Sequence, residues 1–293
     1  MFDLPYPEMA LFILVVITCS SAAVVGILQL LRRSEKLKRS LFALISLVVT
    51  LEAVILIFRA IVIKAVPLTG LFESMIVLTL VFGLIFLFLS VAIHKVWFSS
   101  VMVWVMLLLV LMSGIVAEPA SQAHEAASTP WAIAHAIAMI LSGASAMLAA
   151  ASALLYLFAQ RRLKQKKLLP VLGKVPNIEK LERMNLLGLQ SCFILMTFGL
   201  ASGIGLAATT TSLNMTAIDW LTDAKIVLIT FVWLLLGTIM VLWKTVKLKK
   251  KTIAHVTLVA FALILFAIVG TSIFCGSEHN FAGNNAETTE QAK

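Results

Sequence analysis

Residues 130–158 read PWAIAHAIAMILSGASAMLAAASALLYLF, and the stretch runs directly into the basic segment RRLKQKK at 161–167. It contains no Asp, Glu, Lys or Arg. The hydrocarbon core of a bilayer takes about 20 apolar residues in a helix. Within lipid the backbone must satisfy its own hydrogen bonds, which favours helix over any open strand. The stretch therefore predicts a membrane-spanning helix with a basic loop at its C-terminal end.

Working outward, seven further apolar runs have approximate limits 9–31, 40–63, 69–93, 97–117, 187–208, 222–243 and 253–275. None shows the short-range alternation of a strand. The composition agrees: 61% of the 293 residues are hydrophobic and 13% are charged, against about 25% charged in a soluble domain. The expected fold is an all-α polytopic membrane protein with eight transmembrane helices. Residues 1–275 form the transmembrane domain. The polar tail 276–293, GSEHNFAGNNAETTEQAK, is expected to be disordered. The first run lacks a basic leader and is read as a retained helix.

The basic residues fix an orientation. Arg32, Arg33, Lys36, Lys38 and Arg39 follow run one, and Lys95 lies between runs three and four. The loop after run five holds Arg161, Arg162, Lys164, Lys166, Lys167, Lys174, Lys180 and Arg183; Lys244, Lys247, Lys249, Lys250 and Lys251 follow run seven. Nineteen of 23 Lys and Arg thus fall in alternate loops. The positive-inside rule makes those loops cytoplasmic and both termini external. The other loops carry Glu118, Glu125 and Asp219. Topology accounts for the net charge of +9, so nucleic acid is not an expected partner; the lipid bilayer is. Within the loop after run five, KLLPVLGKVPNIEKLERMN (167–185) reads as a linker with a short surface helix.

Polar groups inside lipid are functional suspects. Glu52 and Arg59 lie seven residues apart in run two and share a helix face; Glu73 and Ser74 open run three after PLTGLF. They read either as an interhelical ion pair or as a polar wall around a ligand. Of five histidines, His94 and His255 sit at cytoplasmic helix ends and His124 in an external loop. His135 lies near the external start of run five, one turn after Trp131, and His279 lies just past run eight. Two histidines on one side of the membrane are the minimal set for bis-imidazole ligation of haem iron. The segment ATTTSLNMTAIDWLTDAKIVLITFVW (208–233) adds Trp220, Asp223 and Lys225, a ring with charged neighbours at the membrane surface. Cys19, Cys192 and Cys275 form no CxxC pair, which excludes covalent haem attachment to this chain. No protease, hydrolase or nucleotide-binding signature occurs.

Four places resemble the CcsA/CcmC/HemX-type cytochrome c assembly superfamily of haem-handling membrane proteins. PLTGLFESM (67–75) is similar to its proline-to-Glu-Ser signature. WAIAH (131–135) is similar to its tryptophan and first external histidine. Trp220, Asp223, Lys225 and Trp233 follow the end of its Trp-rich "WWD" segment, with Thr222 in place of a tryptophan and Ala224 in place of a proline. GTSIFCGSEH (270–279) ends in the second external histidine. The likeness is closest to the short eight-helix HemX-like branch. It implies non-covalent, b-type haem at the external face, with His135 and His279 as axial ligands. Trp220, Asp223, Lys225 and Trp131 would face the haem, and Glu73 and Arg59 would orient that wall. It implies an accessory to cytochrome c haem attachment rather than a stand-alone enzyme, other assembly membrane proteins as partners, and a bacterial cytoplasmic membrane. A secondary transporter using Glu52, Arg59 and Glu73, or a scaffold subunit without haem, are the alternative expectations.

Overall fold

The computed structural model describes residues 4–31, 35–63, 67, 70–92, 96–117, 129–164, 177–209, 223–246 and 248–270. Among them there is no strand, and eight helices follow one another: α1 (Tyr6–Leu31), α2 (Glu35–Ile63), α3 (Leu71–Ala92), α4 (Val96–Ile115), α5 (Pro130–Lys164), α6 (Ile178–Thr209), α7 (Ala224–Thr245) and α8 (Lys250–Leu265). A π-helical turn, Phe266–Gly270, continues α8. Seven are long and apolar enough to cross a membrane, and α4 is a shorter apolar helix by the same measure. The chain is a multi-pass all-α membrane protein.

The helices pack as two rings of four. In the first, α1 touches α2 and α4, and α3 touches α2 and α4. In the second, α5 and α7 each touch both α6 and α8. The rings join where α5 packs against α3 and α4.

The first ring is held by two seams of alternating four- and three-residue spacing. On α1 the buried line is Glu8, Phe12, Val15, Cys19, Ala22, Gly26 and Gln29; on α2 it is Leu41, Ile45, Val48, Glu52, Ile55 and Arg59. This heptad period keeps one stripe of each helix facing its neighbours. Lipid is as apolar as leucine, so the contacts act through close packing rather than hydrophobic exclusion. Phe12 and Phe72 meet edge-on at 5.4 Å across the α1–α3 interior.

In the second ring α5 and α6 approach closely through small residues. A side chain at Gly188 would stand 3.0 Å from the Ala149 nitrogen and the Ser145 carbonyl oxygen, so only glycine admits this separation. At about 1.5 Å per residue, 35-residue α5 and 32-residue α6 are each roughly 50 Å long. That exceeds the lipid core, and the surplus lies where Arg161, Lys180, Glu182 and Arg183 are. Residues 178–185, expected in a linker with a separate surface helix, are instead the first turns of α6. Lys250 of α8 pairs there with Glu182 of α6 at 2.7 Å. This basic end holds the C-termini of α5 and α7 and the N-termini of α6 and α8. The opposite end holds His135.

Candidate functional site

At the His135 end, α5 lays one face on a row of glycines from α6. Trp131, His135 and Met139 recur every four residues and so share that face. Each meets a glycine. A Cβ at Gly205 would lie 2.8 Å from Trp131, one at Gly203 3.1 Å from His135 Nδ1, and one at Gly199 2.5 Å from the Met139 sulfur. The glycines leave room for the two aromatic side chains against α6.

His135 is half-buried, and its Nδ1 lies 2.7 Å from the Gly199 carbonyl oxygen. A carbonyl oxygen only accepts, so Nδ1 carries the hydrogen and donates it. The neutral ring then keeps its lone pair on Nε2. This is how a protein usually presents a metal-ligating histidine: one nitrogen is anchored on a carbonyl, which fixes tautomer and ring orientation. The donor chemistry fits haem iron. Chemically, the arrangement suits coordination: among the described residues the hydrogen-bond partner of the ring is the Gly199 carbonyl.

Lys225, in the first turn of α7, is within electrostatic reach of His135. Asp223 is the α7 N-cap: its Oδ1 accepts from the backbone N–H of Lys225 at 2.8 Å and of Ile226 at 3.4 Å. A cap of this kind satisfies helix-end donors and holds the turn that carries Lys225. Trp233 lies further along α7, stacked on Phe193 of α6 at 5.7 Å and donating Nε1–H to Thr197 Oγ1 at 2.8 Å. Trp220 and His279 lie outside the described residues, as do His94, His124 and Cys275.

The structure brings Arg59 and Glu73 together, with a partner the sequence reading missed. Arg59 donates from Nε to Glu8 Oε2 at 3.0 Å, places Nη2 2.9 Å from the same oxygen, and donates from Nη1 to Glu73 Oε1. Its guanidinium lies 4.4 Å from the Phe72 ring centre. All three charged groups are buried. Glu73 sits at the third position of α3, and a side chain on Gly70, just before the helix, would collide with its carboxylate. The PLTGLFESM stretch is thus a helix start that folds its glutamate back toward Gly70, in the manner of a capping box, and delivers it to Arg59. Glu52, two turns from Arg59 on the same face, is not part of this cluster.

Two residue sets escaped the sequence reading. Glu8 stands in the short polar stretch at the start of the chain, where the hydropathy pattern carries no sign of a partner for Arg59. The glycine row carries a recognisable signal in the spacing of Gly199 and Gly203, a GxxxG pattern of close helix packing. Cys19 and Cys192 are buried free thiols.

Helical rings, buried charges and a carbonyl-anchored histidine at one end define a polytopic membrane protein able to present an imidazole ligand. Comparison with protein families resolves this further: the cytochrome C assembly protein family matches residues 68–276, and the chain belongs to that family. Its role accordingly lies in cytochrome c biogenesis, in a family associated with haem handling. None of the curated proteins compared with the chain matches it significantly.

Proposed function

We propose that this protein holds haem at the His135 end of the α5–α8 ring for cytochrome c assembly. The observation that carries the reading is the 2.7 Å contact of His135 Nδ1 with the Gly199 carbonyl, which keeps the ligand lone pair on Nε2. His279 is the second axial ligand in this proposal, on the strength of the family resemblance. It follows the π-helical turn at Phe266–Gly270 by nine residues; such turns are frequent at functional sites. Trp131 and Trp220 would border the porphyrin. Lys225, whose helix start is held by Asp223, would pair with a propionate through a charge-assisted contact. Glu73 and Arg59 are engaged with Glu8, so we assign them to bracing the α1–α3 ends rather than to the haem.

Haem is here a cargo, b-type and non-covalent, passed to partners among the assembly membrane proteins. Bond formation to the apocytochrome belongs to those partners. The alternating basic loops support an external His135 end and external termini, and the family resemblance implies a bacterial cytoplasmic membrane. We place the chain in the short eight-helix HemX-like branch on the strength of the resemblance, with residues 276–293 as a polar tail beyond the transmembrane domain.

The test is an absorption spectrum of the full chain in mild detergent, oxidised and then reduced with dithionite, with haem supplied. A Soret band with sharp reduced α and β bands is expected, weakened in His135→Ala and absent when His279→Ala is added. A spectrum unaltered by both substitutions would remove the ligand assignment. A haem-free protein that still binds its assembly partners would favour the scaffold reading.

A further inference from the structure

Glu52 lies on the α2 seam, wholly buried inside the α1–α4 ring. Neither of its carboxyl oxygens has a hydrogen-bond partner among the described residues. Arg59 does not reach down to it, because its Nε, Nη1 and Nη2 are directed at Glu8 and Glu73. Seven residues separate Glu52 from Arg59, a rise of about 10 Å. An ionised carboxylate left without a partner at this depth is among the most unfavourable groups a membrane protein can carry.

Among the described residues its surroundings offer no cation. On α1 the buried thiol of Cys19 is within electrostatic reach, and on α3 the polar side chain beside it is Thr79. Its seam neighbours on α2 are Val48 and Ile55. Helix α4 contains no titratable residue. The remaining charged side chains buried in this ring, Glu8, Arg59 and Glu73, are gathered at the His135 end.

Thr79 decides what the carboxyl needs. Its hydroxyl donates to the Ile76 carbonyl oxygen at 2.9 Å. A hydroxyl has one hydrogen and two lone pairs, so with that hydrogen engaged at Ile76, Thr79 Oγ1 has only lone pairs left to offer Glu52. An ionised carboxylate facing that acceptor completes nothing. A carboxylic acid completes an O–H···O hydrogen bond.

We propose that Glu52 is a proton-binding site inside the α1–α4 ring, loaded as the neutral acid with its O–H given to Thr79 Oγ1. The occupant is a proton rather than a metal ion. Hard cations take about six or more oxygen ligands, and no group of three or more His, Cys, Asp or Glu among the described residues could hold one. Releasing the proton would leave a lone charge on the heptad seam. Loading and unloading Glu52 is therefore coupled to how α1, α2 and α3 pack. This gives the first ring a protonation event of its own, independent of the haem reading.

The experiment is infrared spectroscopy of the full chain reconstituted in liposomes, in H2O and after long equilibration in D2O. The wild-type minus Glu52→Gln difference should contain the C=O stretch of a protonated carboxyl. That band should shift in D2O, which reports exchange with solvent, and should move to higher frequency in Thr79→Val, which removes the acceptor. Carboxylate bands in place of the acid band would overturn the proposal, and so would an acid band that never responds to D2O. If Glu52→Gln fails to fold, carbon-13-labelled glutamate in wild type and Thr79→Val carries the test. An acid band shifted by Thr79→Val sustains the proposal, and identical spectra refute it.

Discussion

In the α1–α4 ring, Glu8, Glu52, Arg59 and Glu73 are all buried, and three of them form one cluster. In the α5–α8 ring the buried polar side chains are neutral: Ser142, Ser152, Asn185, Ser202 and Thr257. Two of its ionisable groups, His135 and Lys225, stand half-buried at one end. The contrast separates two uses of polarity in lipid. Charge sealed among helices acts on packing, since its partners are other helices. An imidazole anchored on one nitrogen keeps a lone pair on the other, which can engage something that is not part of the chain. Burial by itself would have ranked Arg59 above His135 as a ligand site; the inventory of partners reverses that order.

The comparison breaks most visibly at Arg59. Replacing it with Leu leaves Glu8 and Glu73 facing each other without a cation. Breaking a buried ion pair in this way destabilises by about 3–5 kcal/mol, to be read from unfolding in mixed detergent micelles. The fraction that remains folded should bind haem as wild type does. Normal stability with lost haem would return Arg59 to the haem-facing wall implied by the family resemblance.

In the second ring the largest structural effect should come from Gly188→Ala. The new methyl meets backbone atoms of α5 at 3.0 Å, which cannot rotate away, so an over-packing penalty of about 1–3 kcal/mol is expected. Gly199→Ala is the internal control, because the atoms it meets belong to the flexible Met139 side chain. Equal effects at the two positions would mean that the helices separate freely and that glycine sets no distance here.

Gly203→Ala tests the other half of the contrast. Its methyl would press on His135 at Nδ1 and Cε1, 3.1 and 3.2 Å away, and tilt the ring off the Gly199 carbonyl. Loss of such an orienting contact typically lowers metal affinity about 10- to 100-fold, which haem titration measures. Melting temperature should move little. A stability loss without an affinity loss would make the glycine row a packing device only.

The helices were legible because hydropathy reports contact with lipid, and for the same reason their full lengths were not. Residues 178–186 carry Glu179, Lys180, Glu182 and Arg183, so α6 leaves the apolar pattern two turns before it leaves the helix. The pairing of Arg59 with Glu73 was within reach, since both occur in apolar runs. Glu8 was not, because an acidic residue near a polar leader gives no sign that it folds inward. His135 was singled out by position and resemblance. Its anchoring was invisible, because a carbonyl acceptor belongs to the backbone and leaves no letter in the sequence; only the glycines that make room for the ring do.

The smallest effect, and the finest test of the two-ring distinction, lies at Thr197. Its Oγ1 accepts the Trp233 Nε1–H at 2.8 Å on a part of the α6–α7 surface that is exposed rather than sealed. Side-chain hydrogen bonds between membrane helices average about 0.6 kcal/mol, far below the Arg59 cluster. Thr197→Val keeps the shape and removes the acceptor. Stacking of Trp233 on Phe193 holds the indole in place, so a loss of about that size is expected, with the haem spectrum unchanged. A loss several times larger would mean that the α6–α7 contact depends on this one bond, and that the second ring, like the first, concentrates its stability in a few polar groups.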